Sequence, residues 1–431
     1  MAAVPVYRGS FGAAQAERLL WRAGFGPRPG EASRLAKLGL RRAVLSLTRP
    51  GAERLVGPAP RDARGNAIAP FDVNGHDHLW WLDRMVRSTT PLPERMALVW
   101  HDWFATQRVG GITQERMIDQ NQLFRRHALG SFARLLEDVT KDPAMLRWLN
   151  GDRNTVRSPN ENYARELMEL FTLGVNRGYT EEDIREQARA LTGWRSLRRP
   201  GQGIYDFRYV PRQHDDGVKR VFGKSGNFDW QDACRLCLEH PNHPSFFVAK
   251  LWSYFVPTAP PAATRRELES IYRKGYGIRP VVEAILQHPA LYRGPRMVKP
   301  PVVYAAGLLR ALGRGVQGAN WANLGAQSGQ RLFRPPNVAG WDDSRWLDTS
   351  TFRGRWFTAG AALRGASTPS RARSASALVD DAARALGVKT LTKPTRTVAI
   401  RLAQDTLRSN PEAAQAAVRQ LLALSPEVQT S

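Results

Sequence analysis

Cysteine is nearly absent from this chain. Two thiols in 431 residues, Cys234 and Cys237, exclude a disulfide framework. They form a C-x-x-C pair with no second pair for a zinc ribbon and no strand-turn ahead of it for a redox motif. The helical pattern around them predicts two small, partly buried thiols. No run of about 20 apolar residues exists, so no transmembrane helix is expected. The first ten residues hold neither an apolar signal core nor a twin-arginine pair, which points to a cytoplasmic location. Lysine is scarce as well: nine lysines stand beside 54 arginines, and 39 acidic residues leave a net charge of +24. That arginine bias fits a GC-rich coding background as readily as selection for phosphate contacts, because the arginines are scattered rather than gathered in one block. Such a surface still attracts polyanions at low salt. Anionic polysaccharide, acidic lipid and nucleic acid are all candidate partners, though specific nucleic-acid recognition is not expected. H-E-x-x-H, P-loop, G-x-S-x-G and Rossmann patterns are missing too, which removes the commonest enzyme classes without removing catalysis.

What is present is ordinary globular material, 42% hydrophobic and 24% charged, with length enough for a large core. Helical periodicity dominates, and the chain reads as all-α, a multi-helix globular protein. Helices are expected over 14–23, 78–88, 94–104, 113–128, 131–140, 143–149, 229–239, 245–255, 264–274, 280–287, 301–312 and 350–363, with another suggested over 327–332. Residues 49–72, rich in Pro, Gly and Arg, read as loop. The alternation in Tyr205-Asp206-Phe207-Arg208-Tyr209-Val210, a turn at 213–217 and a return over 219–222 predict one small β-hairpin near 205–222. The expected organisation is a helical core over 1–365, a polar linker over 366–376 and a C-terminal helical cap of about three helices over 377–431.

The most informative stretch runs from Ser158 to Gly174. Ser158 suits an N-cap, Pro159 the first helical position, and Glu161 completes a capping box. Gly174 is placed to end the helix in the left-handed conformation. Tyr163, Leu167, Leu170 and Phe171 share an apolar face, with Asn162, Glu166 and Glu169 beside it and Arg165 spaced to pair with Glu169. Two readings compete: a solvated charged stripe, or a polar pocket entered by Asn162 and Glu166.

Five segments together resemble the bacterial family called domain of unknown function 1800. They are Leu19 to Pro27, Trp100-His101-Asp102-Trp103-Phe104, the signature helix with Ala190-Leu191-Thr192-Gly193-Trp194, His214 to Lys219, and Leu332 to Trp341. The resemblance spans roughly Ala16 to Leu363. It implies a mostly helical protein of unassigned activity, and many relatives are exported beside a phosphatase-like protein; the absence of an export signal here departs from that setting. Relatives often carry a second His where this chain has Trp103, so a metal ligand at that position would be missing.

The motifs nominate one set of candidate residues. His101, Glu166, His214 and Asp215 are the acid–base candidates. Lys219 could hold an anion or developing charge, Asn160 and Asn162 could bind substrate, and Trp194 and Trp341 could stack on sugars. Each has a structural alternative: a core histidine at His101, an Asx-type turn at 214–217, core tryptophans. No metal site and no specific cofactor are indicated. The leading expectation is a hydrolase or transferase acting on a polar, glycan-like or phosphorylated substrate, with those side chains sharing one cleft. The alternative is a non-catalytic binding or scaffold protein whose basic surface docks an acidic partner.

Overall fold

The computed structural model describes residues 4–108, 110–199, 203–366, 374–408 and 410–431. Helices make up nearly all its regular structure. The Pro91–Trp103 helix is the axis of the core. Pro91 occupies its first turn, where no N–H is needed, and Leu92, Met96, Ala97, Val99, Trp100 and Trp103 bury several of its faces at once. Leu92, Met96 and Val99 alone each contribute about 1.5–3 kcal/mol by burial. Glu94 on this helix is fully enclosed; Arg84 and Arg125 neutralise it, and both guanidinium groups stand over the Trp80 ring.

The predicted small hairpin is present, with its pairing redistributed. Strand β1 (Trp194–Arg199) pairs antiparallel with β2 (Gly203–Tyr209), Trp194 opposite Tyr209. The return over 219–222 belongs to a second, smaller hairpin, β3 (Lys219–Val221) with β4 (Lys224–Gly226). Phe222 and Gly223 join those strands with φ of +50° and +75°, the sense of a two-residue turn that matches strand twist. The suggested helix over 327–332 lies earlier, at Trp321–Gln327.

The signature helix also differs from its expected form. It begins at Asn162, because the Ser158 amide turns back onto the Thr155 carbonyl at 3.0 Å. Asn160 performs the start instead: its amide donates to Asn154 Oδ1 (2.9 Å) and its side-chain oxygen accepts the Asn162 amide (3.1 Å). Glu161 pairs with Arg165 rather than closing a capping box. From Leu167 to Thr172 the helix widens into a π-turn, ending before Gly174 at φ +96°. Three successive carbonyls at this end find side-chain donors from elsewhere. Lys250 Nζ reaches Leu170 (2.9 Å), Trp103 Nε1 reaches Phe171 (3.1 Å), and a His243 ring nitrogen lies 2.9 Å from the Thr172 oxygen. Each bond satisfies a group that a helix end leaves orphaned.

The region expected as a C-terminal cap contains helices Ala375–Ala385, Lys393–Leu407, Pro411–Ala423 and Pro426–Gln429. Its last residues are sewn into the core: Met297 and Ser431 exchange backbone hydrogen bonds, and Lys299 Nζ donates to the Val428 carbonyl at 2.7 Å. Of the expected linker, 367–373 lie outside the described residues. The C-x-x-C thiols are both buried on the Trp230–Glu239 helix, and burial pushes each above the ordinary thiol range.

Candidate functional site

His101 and Asp102 end the central helix and face different surroundings. The His101 ring is buried among aromatic rings, with centroids 5.2 Å from Trp81, 5.4 Å from Trp341 and 5.6 Å from Phe333. Neither ring nitrogen has a hydrogen-bond partner among the described residues, and burial lowers its pKa to about 3. It is therefore a neutral imidazole at physiological pH. Asp102 locks the loop at the end of the fifth motif. Its Oδ1 accepts the Trp341 amide (2.8 Å) and its Oδ2 accepts the Tyr254 hydroxyl (2.7 Å). Gly340 is required there, since an added Cβ would come within 2.4 Å of Asp102 Oδ1. Desolvation raises the Asp102 pKa, while these two donors and Lys250 oppose the rise. Burial lowers Lys250 to about 8, with Asp102 as the opposing influence; its ammonium sits 4.6 Å from the Trp103 ring centroid. Arg95, on the same helix, is buried with Nε and one terminal nitrogen unpartnered, and burial lowers it to about 10.

The second motif cluster has its own partners. His214 Nδ1 lies 3.1 Å from both the hydroxyl and the carbonyl of Thr192. Asp215 receives two bonds from Arg189 (2.7 and 3.1 Å) and caps the Gly217 amide (2.8 Å), and the Arg189 hydrogen bonds hold its carboxyl below the ordinary range. Lys219 is fully buried, donating to the Asp215 carbonyl and to Asn227 Oδ1. Glu166 is half-buried; burial and then Glu169 raise its pKa against Arg165. Asn162 is exposed, and Asn160 forms the helix start described above. Trp194 packs against Tyr209 and Trp230. No hydrogen bond, ion pair or ring contact among the described residues joins His101, Glu166 and His214 to one another. What brings Asp102 and Trp341 together is a loop-locking bond.

Of the nominated residues, Trp341 alone lines any of four cavities of roughly 240–570 Å³ formed by described residues. Its cavity, about 430 Å³, is also walled by Arg331, Arg334, Arg345, Asp342 and Ser350. Arg331 and Arg334 are half-buried, and neither guanidinium hydrogen-bonds or ion-pairs with a described residue. Asp77 is an opposing charge felt by Arg331, and it is already paired with Arg108 at 3.5 Å. Asp77 thus feels three guanidinium groups, with Asp342 a second carboxylate on the cavity wall, and desolvation followed by Arg334 lowers the Arg331 pKa. The largest of the four cavities, about 570 Å³, is also basic, but its Arg396 and Arg384 bind Asp380 and Asp381 and its Arg28 binds the Val86, Arg87 and Ser88 carbonyls. Sequence reasoning missed Arg331 and Arg334. Arg334 stood inside the fifth motif, where its flanking prolines drew attention to rigidity rather than charge. Among the described residues, no group of three or more His, Cys, Asp or Glu side chains is placed to hold a metal ion, and no helix is long and apolar enough to cross a membrane.

The model of one family, described as "Protein of unknown function (DUF1800)", matches residues 18–430, and the chain belongs to that family. Comparison with curated proteins and with solved structures gives no match.

Proposed function

For this member of the DUF1800 family, we propose a non-catalytic binding role, with a small phosphate- or sulfate-bearing ligand held in the Arg331–Arg334–Arg345 cavity. The observation that carries this reading is the pair of half-buried guanidinium groups without partners. Two like charges partly withdrawn from water repel each other and lose solvation. An oxyanion between them relieves both costs, and each planar guanidinium offers paired N–H groups to two oxygens. Trp341 adds a wall for an apolar or flat portion of the ligand. The hydrolase or transferase expectation has less support, because His214, Asp215 and Lys219 are engaged in a turn and His101 is enclosed by rings.

The test is calorimetric titration with pyrophosphate at constant ionic strength. The Arg331→Ala/Arg334→Ala protein should bind at least about a hundredfold more weakly, each lost charge-assisted contact being worth about 1.5–3 kcal/mol. A control, Arg41→Ala/Arg42→Ala, removes equal charge from two exposed positions on the Leu40–Thr48 helix and should bind like the parent. Equal affinity in all three proteins would refute the reading.

A further inference from the structure

The Thr349–Leu363 helix beside this cavity turns its largest apolar side chains outward. Its inward face carries Thr351, Gly354, Arg355, Thr358, Ala359 and Ala362, all buried. Its outward face carries Phe352, Trp356 and Phe357, exposed by 37, 52 and 43%, and Leu347 just before the helix is 39% exposed. A surface helix in water normally points such residues inward. Here the inward positions are committed to close packing and polar ties. An added Cβ at Gly354 would strike the Gln327 backbone at 2.4 Å, and Arg355 donates to the Trp346 and Lys299 carbonyls and to Gln429 Oε1, each at 2.8 Å. The aromatic side chains are left outside, contiguous with the cavity wall through Ser350 and Thr351.

Charge decides what this face meets. Arg345, Arg353 and Arg364 are exposed around it, and Arg331 and Arg334 line the adjoining cavity. Five arginines face three aspartates, Asp342, Asp343 and Asp348; Asp348 caps the helix and also pairs with Arg345 at 3.5 Å, which leaves an excess of two positive charges. A second copy of the chain would bring another +24 against this one. An acidic protein would answer the charge, but not an aromatic ridge joined to a cavity of small-ligand size. One partner supplies both an apolar layer and phosphate groups at its surface.

We propose that this face docks on an anionic phospholipid bilayer, the aromatic ridge entering the headgroup–acyl boundary and a lipid phosphate entering the arginine cavity. Fifteen residues make a helix of about 22 Å, which lies in the plane of the interface. Tryptophan favours that boundary, and basic side chains at its rim are drawn to anionic lipid. The inference rests on the anion-site reading for the headgroup, while the ridge stands on the exposed rings of this helix.

The experiment is flotation of the full chain with vesicles of phosphatidylglycerol and phosphatidylcholine, or of phosphatidylcholine alone. The parent should float with the anionic vesicles and not with the neutral ones. Phe352→Ser/Trp356→Ser/Phe357→Ser should lose about tenfold or more in partitioning while keeping its pyrophosphate affinity, which also reports that it is folded. Failure of the parent to float, or unchanged flotation of the triple variant, overturns the proposal. So does a parent dimer that the triple variant turns into monomer, which would assign the ridge to a second copy. Vesicle binding through the ridge without pyrophosphate binding would sink the anion-site reading and leave the docking face standing.

Discussion

Two regions of this protein are built from the same residue types and treat them in opposite ways. Around Asp102 and the π-turn, charged and aromatic side chains point inward and cap backbone groups: Trp103, Lys250 and His243 on three carbonyls, Asp102 on the Trp341 amide. Around Arg334 and Trp356, guanidinium groups stand unpaired and rings face solvent. The difference separates polar groups that hold the fold from polar groups that await something outside it. Arg95 and His101 blur the boundary, being sealed inside with unpartnered nitrogens. Asp102 offsets the Arg95 charge, and His101 avoids the cost by staying neutral.

The sealed region should respond to substitution in stability, in a definite order. Asp102→Ala strips the Trp341 amide and Tyr254 hydroxyl of their acceptor and removes the charge facing Lys250 and Arg95. Breaking such an enclosed pair costs about 3–5 kcal/mol, read as a lower urea midpoint. Gly340→Ala should cost about 2 kcal/mol, since φ of +94° disfavours any Cβ and Asp102 Oδ1 occupies its place; an unchanged midpoint would mean the loop is not locked.

His101→Leu sharpens the comparison through pH. The folded pKa of about 3 lies below the unfolded value near 6.5, so the unfolded chain binds the extra proton. The stability tied to this group is complete above about pH 6.5 and is lost as pH falls towards 3. The substitution should therefore shrink the fall in stability between pH 7 and pH 5 by about 2 kcal/mol. An unchanged slope would show that His101 takes up its proton in the folded state. Asp215→Asn should be the mildest, about 1 kcal/mol, because its pair with Arg189 is partly solvated. The depressed folded pKa means that contribution is present above the unfolded value near 3.9 and fades as pH drops through the folded value. Denaturation at pH 7 and pH 3 should show a larger difference between parent and variant at the higher pH.

The helical architecture was legible because periodicity and caps are local. Thr180 with Asp183 and Asp229 with Asp232 form reciprocal caps that spacing alone reveals. Ser158 misled because an identical local signal lost to a nearby alternative, the Thr155 carbonyl and the Asn154–Asn160 bond. The partner of β2 was illegible for a related reason: Arg-rich β1 lacks the aromatic alternation that marked β2. Family motifs located polar density, and much of that density caps backbone across long sequence separations, as Trp103 does for Phe171. The arginine cavity needs residues 326–351 to curl around one hollow, which no spacing rule encodes. The 350–363 segment was read simply as helix; which of its faces is buried depends on Gly354 meeting the Gln327 backbone.

The most direct measurement compares pyrophosphate affinity across variants from both regions at one ionic strength. His101→Leu, Glu166→Gln and Asp215→Asn should bind as the parent does once shown to be folded, while Arg331→Ala/Arg334→Ala should lose binding. The reverse pattern, with folded motif variants losing the ligand and the double arginine variant keeping it, would contradict the account.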